Sequence, residues 1–145
     1  MSCAPGPAPC GSCPYRRDVP SGVWDAEEYE KLPRYDQPTA LQPSGVFYCH
    51  QQDGRVCAGW AATHDMDESL ALRLAAASGA IAPPDVEAVR EYRSPVPLFA
   101  SGREAAAHGL AELESPGPEA RRAIKKLSAR RVRQARSQRA SAPLT

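Results

Sequence analysis

A chain of 145 residues with 15 prolines, 10 glycines and 6% aromatic side chains has the length of one domain but few of the large apolar groups that build a core. Its 42% apolar content leans on alanine, which buries little beside the about 1.5–3 kcal/mol of a leucine or phenylalanine, so a staple is expected. The net charge of +1 hides a split: residues 1–119 carry 17 acidic and 9 basic side chains, net −8, and residues 120–145 carry 9 basic and no acidic ones, net +9.

No stretch approaches the roughly 18–20 apolar residues of a spanning helix, and Met1–Pro14 lacks the apolar run of an export signal, so no membrane role and a cytoplasmic location are expected. In a reducing compartment five cysteines read as ligands or reactive thiols and not as disulfides.

In chain order, residues 1–9 hold Pro5, Pro7 and Pro9 and read as a flexible lead-in, because proline lacks a donor and fixes φ. Asp25 is placed to cap a short helix from Ala26 to Leu32, stopped by Pro33. After the loop marked by Pro38, Pro43 and Gly45, Val46–Cys49 and Arg55–Cys57 flank the turn dipeptide Asp53-Gly54 and predict a short β-hairpin. Helices follow over Ala58–His64 and Ser69–Ser78, the second capped by Asp65 or Asp67 and stopped by Gly79. Pro83 and Pro84 open another through Val86, Val89 and Tyr92. A further helix is predicted near Arg103–Leu113, and Glu119–Arg139 has good helix formers but a sparse apolar stripe.

The chemistry concentrates in Cys10-Gly11-Ser12-Cys13-Pro14, Cys49-His50 and Cys57-Ala58-Gly59-Trp60. Two cysteines separated by two residues can present both sulfurs to one ion, and the Asp53-Gly54 turn brings Cys49 and Cys57 to a common side. Cys10, Cys13, Cys49 and Cys57 are therefore the expected metal ligands, with His50 a substitute for one thiolate and Cys3 left aside in the lead-in. Zinc is preferred as the commoner structural ion, but the seven-residue gap between Cys49 and Cys57 fits a 4Fe-4S cluster equally well.

These residues resemble an uncharacterised family, a domain of unknown function in small cysteine-containing proteins of actinobacteria and their phages. The resemblance rests on Cys10-x-x-Cys13-Pro14-Tyr15-Arg16-Arg17-Asp18, Ser21-Gly22-Val23-Trp24, Phe47-Tyr48-Cys49-His50-Gln51 and Cys57-Ala58-Gly59-Trp60, and covers roughly residues 10–78. It implies no activity. A weaker likeness, of layout alone, is to the small iron–sulfur regulators of the same bacteria, with four cysteines, a Gly-Val-Trp turn and a basic tail; here Gly22-Val23-Trp24 precedes two of the cysteines instead of following all four.

Arg16, Arg17 and Asp18 read either as a cationic rim to a thiolate site or, by preference, as an Arg–Asp pair that fixes the turn. His64, Asp65, Asp67 and Glu68 have metal-binding side chains, but a capping cluster explains the acids. Arg121, Arg122, Lys125, Lys126, Arg130, Arg131, Arg133, Arg136 and Arg139 have the density of a nucleic-acid arm without any aromatic residue to stack on bases. The expected fold is mainly α with a short β-hairpin, stapled by a four-cysteine metal site, with disordered or loosely helical termini. Its parts are a lead-in (1–9), a cysteine domain (10–80), a helical extension (81–115) and a basic tail (116–145). The expected function is a non-enzymatic metal-binding interaction module that meets nucleic acid or a protein partner through the tail. The alternative is a redox protein using a cluster or the Cys10 and Cys13 thiols.

Overall fold

Local side chains dictate where the helices start and stop in the computed structural model, which describes residues 2–141; Met1 of the lead-in and residues 142–145 of the tail lie outside the described residues. Helix α1 (Ala26–Glu30) follows Asp25, which holds the N-cap position without a side-chain cap bond, and runs on into a 3-10 helix, Leu32–Asp36. Helix α2 (Ala58–Thr63) starts directly after Cys57. Helix α3 (Leu70–Ser78) is capped by Ser69, whose hydroxyl accepts the Leu72 N–H, and stops at Gly79 with φ +76°. Asp65, expected to cap that helix, instead caps the short 3-10 turn Met66–Glu68 by accepting the Asp67 N–H. Helix α4 (Pro83–Glu91) opens on its prolines. Helix α5 (Gly102–Leu110) opens on a variant of the capping box: the N-cap Ser101 accepts from the Glu104 N–H, and Glu104 accepts from the N–H of Ala100, one residue before the cap. Helix α6 spans Pro118–Ser141.

Helix α5 packs on α1 and the Leu32–Asp36 turn, while α4 packs on α2, α3 and the Met66–Glu68 turn. The irregular segment carrying Cys10 and Cys13 joins the two groups. Its Tyr15 carbonyl accepts the Phe99 N–H at 3.0 Å, and the Gly22 N–H donates to the Gly109 carbonyl at 2.9 Å, so it is stitched to both ends of α5. Ser21 adds a hydroxyl that donates to Gly109 and accepts from the Glu112 N–H.

The hairpin is not formed. Cys49 N–H donates to the Arg55 carbonyl and Cys57 N–H to the Phe47 carbonyl, yet only an isolated bridge, Tyr48 with Val56, results, and the described residues contain no strand. The returning arm is cut short because α2 begins at Ala58; on its outer side the Val56 N–H donates to the Cys3 carbonyl at 2.9 Å. The metal staple also falls: among the described residues no group of three or more His, Cys, Asp or Glu side chains gathers closely enough to hold one ion. A continuous core takes its place, in which Tyr15, Tyr29, Leu32, Val56, Trp60, Leu72, Ile81 and Val89 are wholly buried. Composition understates it because five of the nine aromatic side chains (Tyr15, Trp24, Tyr29, Phe47 and Trp60) lie inside. Within the described residues, Cys3 N–H donates to Asp85, and Pro118–Ser141 is one helix of 24 residues.

Two helical glycines record close packing. A Cβ at Gly102 would overlap the Leu32 carbonyl, and one at Gly109 would overlap the Tyr29 ring. Replacing a glycine by alanine gains at most about 1 kcal/mol inside a helix and less at the first and next-to-last positions that Gly102 and Gly109 hold, whereas overpacking of this kind loses about 1–3 kcal/mol. Gly102→Ala and Gly109→Ala should therefore lower the urea midpoint, whereas Gly45→Ala, in open space, should leave it within about 0.5 kcal/mol of wild type.

Candidate functional site

The four thiols are brought together by three different local structures. A turn closed by the Cys13 N–H donating to the Cys10 carbonyl at 2.9 Å sets the first pair side by side. Cys49 enters the Asp53-Gly54 turn, where Gly54 takes φ +78°, and Cys57 leaves it as the N-cap residue of α2. Gly59, the second residue of α2, leaves the space that Cys13 fills: a Cβ there would stand 2.5 Å from Cys13 Sγ and 2.8 Å from Tyr15 Cβ.

The Cys13 and Cys57 sulfurs are in contact, and Cys10 lies near enough to Cys13 and to Cys49 for each to shift the other's titration. Cys13 and Cys57, 1% and 3% exposed, have their sulfurs 3.8 Å apart. Cys10 and Cys49 are partly exposed, and all five cysteines are free. The Cys10 thiol is raised by its bond to Cys13, which its bond to Cys49 opposes and burial assists. Cys13 is pulled down by Cys10 but driven well above the ordinary thiol range by the neighbouring Cys57 sulfur and by burial. Cys49 is raised strongly by the nearby Cys10 thiol and by burial. At neutral pH these three are thiols, not thiolates, the reverse of an activated nucleophile.

His50 turns toward Glu28, Nε2 lying 2.5 Å from the carboxylate, with its ring between Trp24 at 4.5 Å and Phe47 at 5.4 Å. Arg16 forks onto Asp18 at 2.7 and 2.8 Å and donates to the Pro9 carbonyl, fixing the chain on both sides of the Cys10–Cys13 turn. Arg17 lies over the Phe99 ring at 5.4 Å. Cys3 packs on the core and takes part only through its backbone bonds to Asp85 and Val56.

Helix α6 docks against this site. Ala120 is buried and Ala123 and Leu127 pack on the core, while Arg131 covers Trp24 at 5.6 Å. Arg130 donates to Gln51 Oε1 at 2.8 Å, Gln51 in turn donates to the Ser12 hydroxyl, and Trp24 Nε1 donates to the Ser12 carbonyl at 2.7 Å. The other seven cations, Arg121, Arg122, Lys125, Lys126, Arg133, Arg136 and Arg139, are exposed on the same helix.

A second constellation has no clear signal in the sequence. Tyr15 Oη lies 3.2 Å from His64 Nε2, and His64 Nδ1 lies 3.6 Å from Asp36, whose carboxylate accepts the Gly102 and Arg103 N–H groups at 2.8 Å. The order hydroxyl, imidazole, carboxylate is that of a relay, but Tyr15 is 0% exposed and burial drives its phenol far up, so no substrate meets it. A cavity of about 500 Å³ beside it is lined by Trp60 and Thr63, whose indole N–H and hydroxyl have no hydrogen-bond partner among the described residues. His64 itself is lowered by burial, which Asp36 opposes.

The family model of DUF6283, a family of unknown function, matches residues 5–131. No curated protein and no solved structure matches the chain.

Because the folded-state values of Cys10, Cys13 and Cys49 lie above the ordinary thiol value, their contribution to stability is complete below it and is lost as pH rises from about 8.5 upward, where the unfolded chain alone ionises. Metal-free protein should accordingly show a denaturation midpoint that falls from pH 8 to pH 10. Gly59→Ala should push the Cys13 sulfur off α2 and make its alkylation by iodoacetamide faster than in wild type.

Proposed function

We propose that this chain, which belongs to the DUF6283 family, is a non-enzymatic interaction module whose thiols Cys10, Cys13, Cys49 and Cys57 take up one thiophilic metal ion, and whose basic helix contacts nucleic acid. The observation that carries the first part is the Cys13–Cys57 separation of 3.8 Å, extended to Cys10 and Cys49 by proximity. A tetrahedral ion with metal–sulfur bonds of about 2.3 Å holds its thiolates about 3.8 Å apart, so one edge of a zinc site already has its length. The thiolates of an iron–sulfur cluster sit on separate irons and are spread more widely, which favours zinc over the cluster.

Uptake requires Cys10 and Cys49, both partly exposed, to swing toward the buried pair, and it requires each thiol to give up its proton. The ion is bound by a core that folds without it. Arg16, held beside the site by Asp18 and within reach of the charge on Cys13 and Cys10, offsets part of the negative charge of four thiolates. The redox alternative draws less support. A thiol enzyme needs an exposed, acidified cysteine; here Cys13 is closed off, and the Cys10 and Cys13 thiols are both raised.

Protein purified without oxygen should carry one zinc per chain, colourless in solution, with Cys3 the readily alkylated thiol. Cys13→Ser and Cys57→Ser should each lose the metal while keeping the far-ultraviolet helical signal. A brown, broadly absorbing preparation assigns a cluster instead, and a metal-free preparation that zinc leaves unchanged, with Cys10 and Cys49 both alkylated, sinks the reading.

A further inference from the structure

The cations of α6 do not neutralise the acidic body they rest on. Among the described residues none of the nine forms an ion pair; the helix is held by Ala120, Ala123, Leu127, the Arg130–Gln51 bond and the Arg131–Trp24 contact. Its charge is therefore positioned but unspent. At about 100° per residue the remaining cations divide around the docked face: Arg122, Lys126, Arg130 and Arg133 fall on one flank, and Arg121, Lys125, Arg136 and Arg139 on the other.

The two flanks are not equivalent. The first overlooks an open groove of about 680 Å³ whose opposite wall is Gly11 and Ser12 of the Cys10–Cys13 turn together with Gln51. Glu119 is the one acidic residue among the groove's described lining, and no aromatic residue lines it. From Arg122 to Arg133 the cations extend over about 16 Å at 1.5 Å per residue, each about one turn from the next. That is the length of about five phosphates on one strand of a duplex.

We infer that the groove between α6 and the Cys10–Cys13 turn is a binding site for the phosphodiester backbone of duplex nucleic acid, with Arg122, Lys126, Arg130 and Arg133 as its phosphate contacts. This rests on the reading that α6 meets nucleic acid, and sharpens it from a tail to one side of a helix plus a second wall. A single small anion would not use four cations in a row, and a membrane surface would need the apolar face of α6, which Ala120, Ala123 and Leu127 commit to the body. With no aromatic side chain in the groove, bases are not stacked, and the contact reads backbone charge and not sequence.

The test is fluorescence anisotropy of a labelled duplex of about 20 base pairs, titrated with the full chain from about 50 to 200 mM salt. Arg122→Gln, Lys126→Gln and Arg133→Gln together should weaken binding at least about tenfold and shrink the slope of log affinity against log salt by about 2.7, or 0.9 per phosphate contact. The triple variant of the other flank, Arg121→Gln, Lys125→Gln and Arg136→Gln, should lose less than about threefold. The opposite wall is tested separately. Gly11 lies in open space with no positive φ, so Gly11→Glu places a negative charge there without disturbing α6; it should weaken binding about threefold to tenfold relative to Gly11→Gln. Equal losses from the two triples, or a Gly11→Glu variant that binds like Gly11→Gln, overturn the groove but leave a basic helix that binds nucleic acid. No binding by wild type at 50 mM salt overturns both.

Discussion

The fit of one irregular segment against a glycine on α2 is the constraint on which the remaining structure depends. Cys13 and Tyr15 sit where Gly59 has no side chain, and from that position Tyr15 meets Phe47 and His64 edge to face while its carbonyl holds the loop before α5. A chain stretch with no helix or strand thereby becomes the centre of the core. Its burial sets where both Cys13 and Cys57 lie, and places the Cys10–Cys13 turn beneath α6. The segment itself supplies two of the aromatic side chains that it buries, Tyr15 and Trp24.

The sequence makes the helices readable because their ends depend on nearest neighbours. Ser69 with Gly79, the prolines of α4, and the Ser101–Glu104 box each act within one turn. What it hides are contacts between distant positions. Gly59 and Gly109 look like weak helix formers, and their actual role, admitting Cys13 with Tyr15 and then Tyr29, exists only once three segments have met. Likewise the spacing pairs Cys10 with Cys13 and Cys49 with Cys57, whereas proximity interleaves them as Cys49, Cys10, Cys13, Cys57. The hairpin misreads for the opposite reason: the Asp53-Gly54 turn and the helix from Ala58 are each legible, but together they leave only Arg55–Cys57 for the returning arm, enough for the single Tyr48–Val56 bridge and too short for a strand. The Tyr15–His64–Asp36 chain is silent in sequence because its members are 21 to 49 residues apart and none stands in a recognisable spacing.

Electrostatics and packing divide the labour on α6. Small and apolar residues place the helix, and two arginines pin it through Gln51 and Trp24, the same residues that brace Ser12 in the cysteine turn. The thiol site and the cationic flank are thus built on shared supports: Ser12 of the cysteine turn and Arg130 and Arg131 of α6 meet at Gln51 and at the core residue Trp24. The acidic body, net −8, keeps its own pairs, such as Arg16 with Asp18 and Lys31 with Glu28, and leaves α6 its charge.

The bond from the Val56 N–H to the Cys3 carbonyl bears on self-association. Phe47–Cys49 and Arg55–Cys57 form an aborted ribbon, and such a ribbon ends in an outward-facing backbone donor that invites a strand from another copy. Residues 2–4, anchored through Asp85, occupy that place as a built-in plug. Cys3 thus closes the Val56 donor of this short ribbon within the chain itself, with its carbonyl and not its sulfur.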